Sequence, residues 1–222
     1  MILYEDRDIL VVEKPAGLLT MGTDSERNRT AYAYLTDYVR RGYSKSRNRI
    51  FIVHRLDRET SGIVIFAKNA ETKFRLQEHW KETEKKYLAV VRGQCANMSG
   101  TITTYLAENR ARLVYSTSDR TKGKLSSTSY KVLKQTKDLA LLKLDLLTGR
   151  KHQIRVHLAG IGHPVVGDPK YGDGNRDHAR LALHASSISL KHPFSGQQIT
   201  FESKLPVYFN QLVGTVDLNK VP

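Results

Sequence analysis

The sequence predicts an α+β fold in a single domain spanning residues 1–222, and three observations carry that prediction. Candidate strands and helices mix without a regular strand-helix-strand alternation. No segment repeats, and no linker divides the chain. With 40% hydrophobic residues over this length, the chain can bury a sizeable core.

The elements follow from local chemistry. Residues 2–4 and 9–13 read as two short strands around the acidic turn Glu5-Asp6-Arg7-Asp8, and Pro15 and Gly17 stop the second. A helix is expected over residues 31–41, with Thr30 as N-cap, Leu35 and Val39 on one face and Gly42 as terminator. Its tyrosines, Tyr32, Tyr34 and Tyr38, are expected to pack rather than to meet a ligand. Residues 50–53 and 63–67 are β-branched runs that read as strands around a charged turn. Asn69 can cap a helix carrying Ala70, Phe74, Leu76 and Trp80, and residues 87–91 form a further strand. Residues 93–129, rich in Thr, Ser and basic side chains, are expected to form irregular strands and turns. A strand with one buried face fits residues 139–147, a helix residues 151–161, and strands residues 181–190 and 198–202.

Charge narrows the class of partner. Thirty-six Lys and Arg against 22 Asp and Glu give a net charge of +14, which points to a polyanion, nucleic acid first. Arg40, Arg41, Lys45, Arg47 and Arg49 fall in one acid-free stretch with Tyr43 among them, a strip suited to phosphates and a stacked base. The single cysteine, Cys95, permits no internal disulfide and no cysteine-based zinc site. No apolar run approaches the ~20 residues of a membrane span, and neither export nor membrane insertion is expected. The expected setting is the cytoplasm, with no membrane and no obligatory protein partner.

Two stretches can carry chemistry. Residues 53–62, Val-His-Arg-Leu-Asp-Arg-Glu-Thr-Ser-Gly, place Asp57 in a tight charged loop between rigid elements. A carboxylate so held can attack an electron-poor anomeric carbon or take a proton; the plain structural reading is an aspartate that caps a turn. Residues 148–157, Thr-Gly-Arg-Lys-His-Gln-Ile-Arg-Val-His, place Arg150, Lys151, His152 and Arg155 where a strand ends and a helix begins, a setting that attracts anions.

These stretches resemble the RluA branch of the pseudouridine synthases. His54-Arg55-Leu56-Asp57 with Thr60-Ser61-Gly62 matches its signature loop, Lys14-Pro15-Ala16-Gly17-Leu18 its first motif and Lys85-Lys86-Tyr87-Leu88-Ala89-Val90 its tyrosine-bearing strand. Residues 148–157, with Gly162-His163-Pro164 and Gly167-Asp168-Pro169-Lys170-Tyr171-Gly172, match its third motif region, and Leu181-Ala182-Leu183-His184-Ala185 its late strand. The matches run in the family's order along nearly the whole chain. The resemblance implies a mixed, mostly antiparallel central sheet flanked by helices and loops, with an active-site cleft between two halves. It also implies a catalytic domain without an additional N-terminal RNA-binding domain.

Carried over, the resemblance makes Asp57 the essential aspartate, Tyr87 the tyrosine that packs on the target base and Arg155 the arginine that pairs with the aspartate. Arg55 becomes the arginine that enters the space left by a flipped uridine, offsetting part of an unstacking cost of a few kcal/mol. Leu183 is implied as part of the substrate pocket. His54, His152 and His157 are expected to orient loops or meet phosphates, and Arg40, Arg41, Arg47, Arg150 and Lys151 to bind RNA. The expected substrate is a uridine of structured ribosomal or transfer RNA, isomerised without metal, nucleotide or redox cofactor.

Competing signals are weaker. Gly160-Ile161-Gly162 lacks the setting of a dinucleotide fingerprint, Gly123-Lys124 is followed by Leu125 rather than Ser or Thr, and the histidines form no zinc motif. Two rivals stand: a hydrolase of the uridine glycosidic bond, which would release free uracil, and a non-catalytic RNA-binding protein, which would not need Asp57.

Overall fold

The computed structural model describes residues 1–43, 45–172, 174 and 180–217. In chain order the first elements are β1 (Ile2–Glu5), β2 (Ile9–Lys14), α1 (Ala31–Arg40), β3 (Phe51–Ile52), β4 (Ser61–Ala67) and α2 (Ala70–Glu78). Then come β5 (Glu84–Arg92), β6 (Ser99–Glu108), β7 (Val114–Thr117), β8 (Lys124–Gln135), β9 (Leu139–Leu146) and α3 (Gln153–Gly160). The last are β10 (Leu183–Lys191), β11 (Gln198–Glu202) and α4 (Val207–Val213). No helix among the described residues is long and apolar enough to cross a membrane. The chain divides into two compact units, Met1–Thr83 with Ser187–Ser203, and Glu84–Ser186 with Lys204–Pro222.

In the first unit β1 and β2 form an antiparallel hairpin whose turn is closed by Asp6, Oδ1 accepting from the N–H groups of Asp8 and Ile9 at 2.7 Å each. β2 pairs antiparallel with β4, Ile9 opposite Ala67 through to Lys14 opposite Gly62. Every residue of β4 is buried, which accounts for the unbroken apolar run from Ile63 to Ala67. Ile9, Val11, Ile63, Ile65, Leu76, Ile188 and Leu190 make the core of this unit. α1 starts where Thr30 Oγ1 accepts from Ala33 N at 3.1 Å, and α2 where Asn69 Oδ1 accepts from Thr72 N at 2.8 Å, both as the sequence predicts.

In the second unit β5, β9, β8, β6 and β7 lie side by side, and all four adjacent pairs are antiparallel. The core gathers Leu88, Val90, Leu142 and Leu144 with Ile154 and Leu158 of α3 and Phe209 and Val213 of α4.

Several sequence expectations need correction. Within the stretch 93–129, expected to hold irregular strands and turns, β6 and β8 are long regular strands joined through the short β7, and Ile102 and Leu106 are buried on the face opposite paired Thr and Ser hydroxyls. The strand expected at residues 50–53 shrinks to β3. Tyr34 and Tyr38 face solvent instead of packing, because the inward positions of α1 go to smaller residues, Ala31 and Thr36. Nothing in the sequence reading anticipated α4.

Candidate active site

In the first unit the 53–60 loop is pinned from several sides. Lys14, at the end of the apolar β2, is 1% exposed, and its Nζ donates to the carbonyls of Leu18 at 2.7 Å, Pro15 at 2.9 Å and Arg58 at 3.1 Å. Gly17 N donates to the same Arg58 carbonyl at 2.9 Å. The buried Thr20 hydroxyl donates to Leu56 O at 2.9 Å and accepts from Leu56 N at 3.2 Å. Asp57 therefore sits, half-buried, between two residues whose backbone is held by buried side chains, and its own carbonyl closes a turn with Thr60 N at 3.2 Å.

Burial pushes the Lys14 ammonium down to about 8, while the carboxylates of Glu59 and Asp57 pull the other way. Asp57 and Lys14 thus share one electrostatic neighbourhood. Arg55 is exposed, its Nη1 resting 3.8 Å from Met21 Sδ. His54 is turned into the fold: its Nε2 accepts from Ile65 N at 3.0 Å and its ring stacks on Trp80 at 4.5 Å. A neutral His54 must then carry its proton on Nδ1. Its ring thereby ties the start of the 53–60 loop to β4 and to Trp80.

Arg40, Arg41 and Arg47 stand at the far end of α1. Arg41 adopts the left-handed conformation at φ 53° and caps the helix through its N–H to Tyr38 O, Arg40 reaches Asp37 and the Asn48 carbonyl, and Arg47 is exposed. Arg41 also lies near the Glu5 carboxylate of β1, whose pKa its charge helps to lower.

In the second unit α3 starts without a capping side chain, and His152 takes the left-handed conformation before it. Gln153, 2% exposed, ties down the segment before the helix: Oε1 accepts from Thr148 Oγ1 at 2.8 Å and Arg150 N at 3.0 Å, while Nε2 donates to Ser127 O at 3.0 Å and Thr128 Oγ1 at 2.9 Å. All four of its hydrogen-bonding valences tie the basic loop to β8. Arg150 is exposed, and Lys151 Nζ bridges to Glu108. His152 Nδ1 meets the Tyr171 hydroxyl at 2.8 Å.

Arg155 is 4% exposed and pairs with Asp168 through two 2.7 Å hydrogen bonds, Nε to Oδ2 and Nη2 to Oδ1. Burial raises the Asp168 carboxyl, but the hydrogen bonds and charge of Arg155, with the N–H groups of Lys170 and Tyr171, outweigh it and hold the group below its ordinary value. His157 is buried between hydroxyls, Nδ1 at 2.9 Å from Thr128 Oγ1 and Nε2 at 3.1 Å from Thr104 Oγ1, and burial brings its pKa down to about 4. Tyr87 is half-buried on β5 opposite Leu144, and Leu183 is buried at the start of β10.

Sequence reasoning assigned no role to Lys14, Thr20, Gln153, Asp168 or Tyr171. Lys14, Asp168 and Tyr171 lie inside its motifs, but only the fold reveals what they hold. Among the described residues, Asp6, Asp8 and His192 place ligand-type atoms within 4.8 Å of one another. His192 Nδ1 closes a turn by accepting from Ser195 N at 3.2 Å and Nε2 lies 3.1 Å from Asp6 Oδ2, so both ring nitrogens are already engaged by protein groups.

A sequence model of the RNA pseudouridylate synthase family matches residues 8–160. An uncharacterized RNA pseudouridine synthase of Mycoplasma genitalium is 34% identical over 98% of this chain and 70% of its own length. The ribosomal large subunit pseudouridine synthase C of Rickettsia bellii is 37% identical over 95% of this chain and 70% of its own. Among solved structures, human RNA pseudouridylate synthase domain containing 4 superposes with a TM-score of 0.77 at 26% identity, covering 94% of this chain and 89% of that one. The chain belongs to the RNA pseudouridylate synthase family, enzymes that isomerise uridine in RNA to pseudouridine.

Proposed function

We propose that Asp57 is the reacting group, that residues 1–222 act as one catalytic domain, and that the substrate is a uridine of structured ribosomal RNA in the cytoplasm. Relatives named ribosomal large subunit pseudouridine synthases C and D support ribosomal RNA as the substrate class. The observation that carries the assignment of Asp57 is its loop: Leu56 and Arg58, the residues on either side, are each bonded to a buried side chain, Thr20 or Lys14. Such clamping holds a carboxylate in an attacking geometry, which is worth several kcal/mol to a reaction between bound groups.

The chemistry is an exchange within one nucleotide. The bond from the ribose anomeric carbon to uracil N1 breaks, a bond from the same carbon to uracil C5 forms, C5 gives up its proton and N1 ends up protonated. No electrons are gained or lost. Asp57 acts at the anomeric carbon or on the proton, Tyr87 stacks on the base while it turns, and Arg155 is the guanidinium that the family resemblance pairs with the aspartate. Arg55 fills the gap left by the flipped uridine, and Leu183 lines the pocket. Arg150, Lys151 and His152, with Arg40, Arg41 and Arg47, grip phosphates.

The test is incubation with ribosomal and transfer RNA whose uracil carries tritium at C5. Tritium release with pseudouridine formation, confined to ribosomal RNA, is the expected result. Free uracil would indicate a glycosidic-bond hydrolase, and modification of transfer RNA alone would reverse the substrate class. Asp57→Ala is expected to abolish product and keep RNA affinity within several-fold, since phosphate contacts dominate binding; turnover by that variant would overturn the assignment.

A further inference from the structure

Arg155 is held more tightly than a surface phosphate contact requires. The Asp168 side chain is fully buried, and Oδ1, besides accepting from Arg155, accepts from the N–H groups of Lys170 at 2.9 Å and Tyr171 at 3.1 Å. The Arg155 guanidinium lies 5.1 Å over the Tyr171 ring. The Tyr171 hydroxyl in turn accepts from Val114 N at 3.1 Å and meets His152 Nδ1, anchoring the ring to β7 and to the start of α3. Gly172 closes the turn, its N–H donating to Asp168 O at 3.1 Å; a Cβ there would lie 2.4 Å from that oxygen, so only glycine fits.

Burying two charges costs several kcal/mol per ion, and removing one partner strands the other. A pair kept under those terms fixes geometry. A guanidinium is a rigid plane, so pinning its Nε and Nη2 on Asp168 and its face on Tyr171 also sets the direction of its Nη1–Nη2 edge.

We infer that Asp168 is a positioning residue of the isomerase, which with Tyr171 beneath holds the Arg155 guanidinium in the single orientation that its catalytic role requires. This rests on the catalytic role proposed for Arg155. Asp168 touches neither uridine nor the reacting atoms and acts only through the arginine.

The experiment is a double-mutant cycle on the full chain, read as single-turnover tritium release, KM, RNA affinity and thermal midpoint for Asp168→Asn, Arg155→Met and both together. Asparagine keeps an oxygen for the Lys170 and Tyr171 amides but turns an N–H₂ toward the arginine. Asp168→Asn is expected to lower the rate roughly tenfold or more with KM and affinity within about twofold, and to lower it no further in the Arg155→Met background. If Arg155→Met is fully active, the role of Arg155 fails. If Arg155→Met is impaired while Asp168→Asn matches wild type, or if the two losses multiply, the positioning role alone is overturned. Should Asp168→Asn not fold, Tyr171→Leu carries the test: it removes the ring beneath the guanidinium, and its rate loss must likewise vanish in the Arg155→Met background.

Discussion

Lys14 Nζ and the carbonyl of Arg58 meet at 3.1 Å, joining the turn after β2 to the residue that follows Asp57. The lysine is buried and donates to two further carbonyls, so one ammonium substitutes for the water those groups would otherwise bind. In Lys14→Met the Pro15 and Leu18 carbonyls lose that donor, and Arg58 keeps only Gly17 N. The expected cost is about 1–3 kcal/mol of stability. The rate should fall roughly ten- to a hundredfold as the loop drifts, with little change in KM. Chemical denaturation and single-turnover rates check both; a stable variant with normal turnover would show that the clamp is dispensable.

The same lysine confers a pH dependence. Its folded pKa is about 8 against an ordinary 10.5, so between those values the unfolded chain binds a proton that the folded chain does not. The sign is fixed by linkage: the penalty for burying the charge is present in full below pH 8 and is relieved as pH rises to 10.5, a contribution on the order of 3 kcal/mol. Catalysis should move the other way, because a neutral amine has two hydrogens for three carbonyls. The rate is expected to decline above pH 8 with a limb that Lys14→Met lacks; a pH–rate profile of the two proteins decides it.

His157 sets the acid side. Its pKa falls from 6.5 to about 4 on folding, so between these values the unfolded chain takes up a proton and the native chain stays neutral. Stability is therefore unaffected by this residue above pH 6.5, declines as pH falls from there to about 4, and levels off below, by up to about 3 kcal/mol. His157→Gln, which can still bond the Thr104 and Thr128 hydroxyls, should flatten that part of the curve. Urea midpoints taken at half-unit pH steps for both proteins will show whether the slope belongs to this ring.

The loop around Asp57 was legible in the sequence because a charged turn between two β-branched runs has few structural alternatives, and the motif order then singled out the aspartate. The caps at Thr30 and Asn69 were legible for the same local reason. Lys14 was not: a lysine beside Pro15 and Gly17 reads as a surface residue, and its burial depends on carbonyls 4 and 44 residues away. Asp168 was visible as a motif letter, but its bond to Arg155 depends on how the chain returns after α3, which no periodicity encodes. The length and regularity of β6 and β8 were not legible because their alternation is of Thr and Ser hydroxyls against apolar residues, with Thr101 paired to Ser129 on the exposed side.

RNA affinity should separate the basic residues by what already occupies them. Arg47 is exposed, and Arg41 is exposed with its backbone fixed by the helix cap and its charge only loosely shared with Glu5, to which it makes a long-range electrostatic contribution behind that of Lys68. Each, if it neutralises a phosphate, contributes nearly one counterion, so Arg41→Ala and Arg47→Ala are each expected to shallow the plot of log affinity against log salt by about 0.7–0.9. Lys151 is already bridged to Glu108 and bonded to the Arg112 carbonyl, so its ammonium is partly neutralised before RNA arrives. Lys151→Ala should therefore change the slope by clearly less. Equilibrium binding at several salt concentrations distinguishes the three: a slope change at Lys151 equal to that at Arg47 would mean RNA displaces Glu108, and no change at Arg41 and Arg47 would remove the α1 strip from the binding surface.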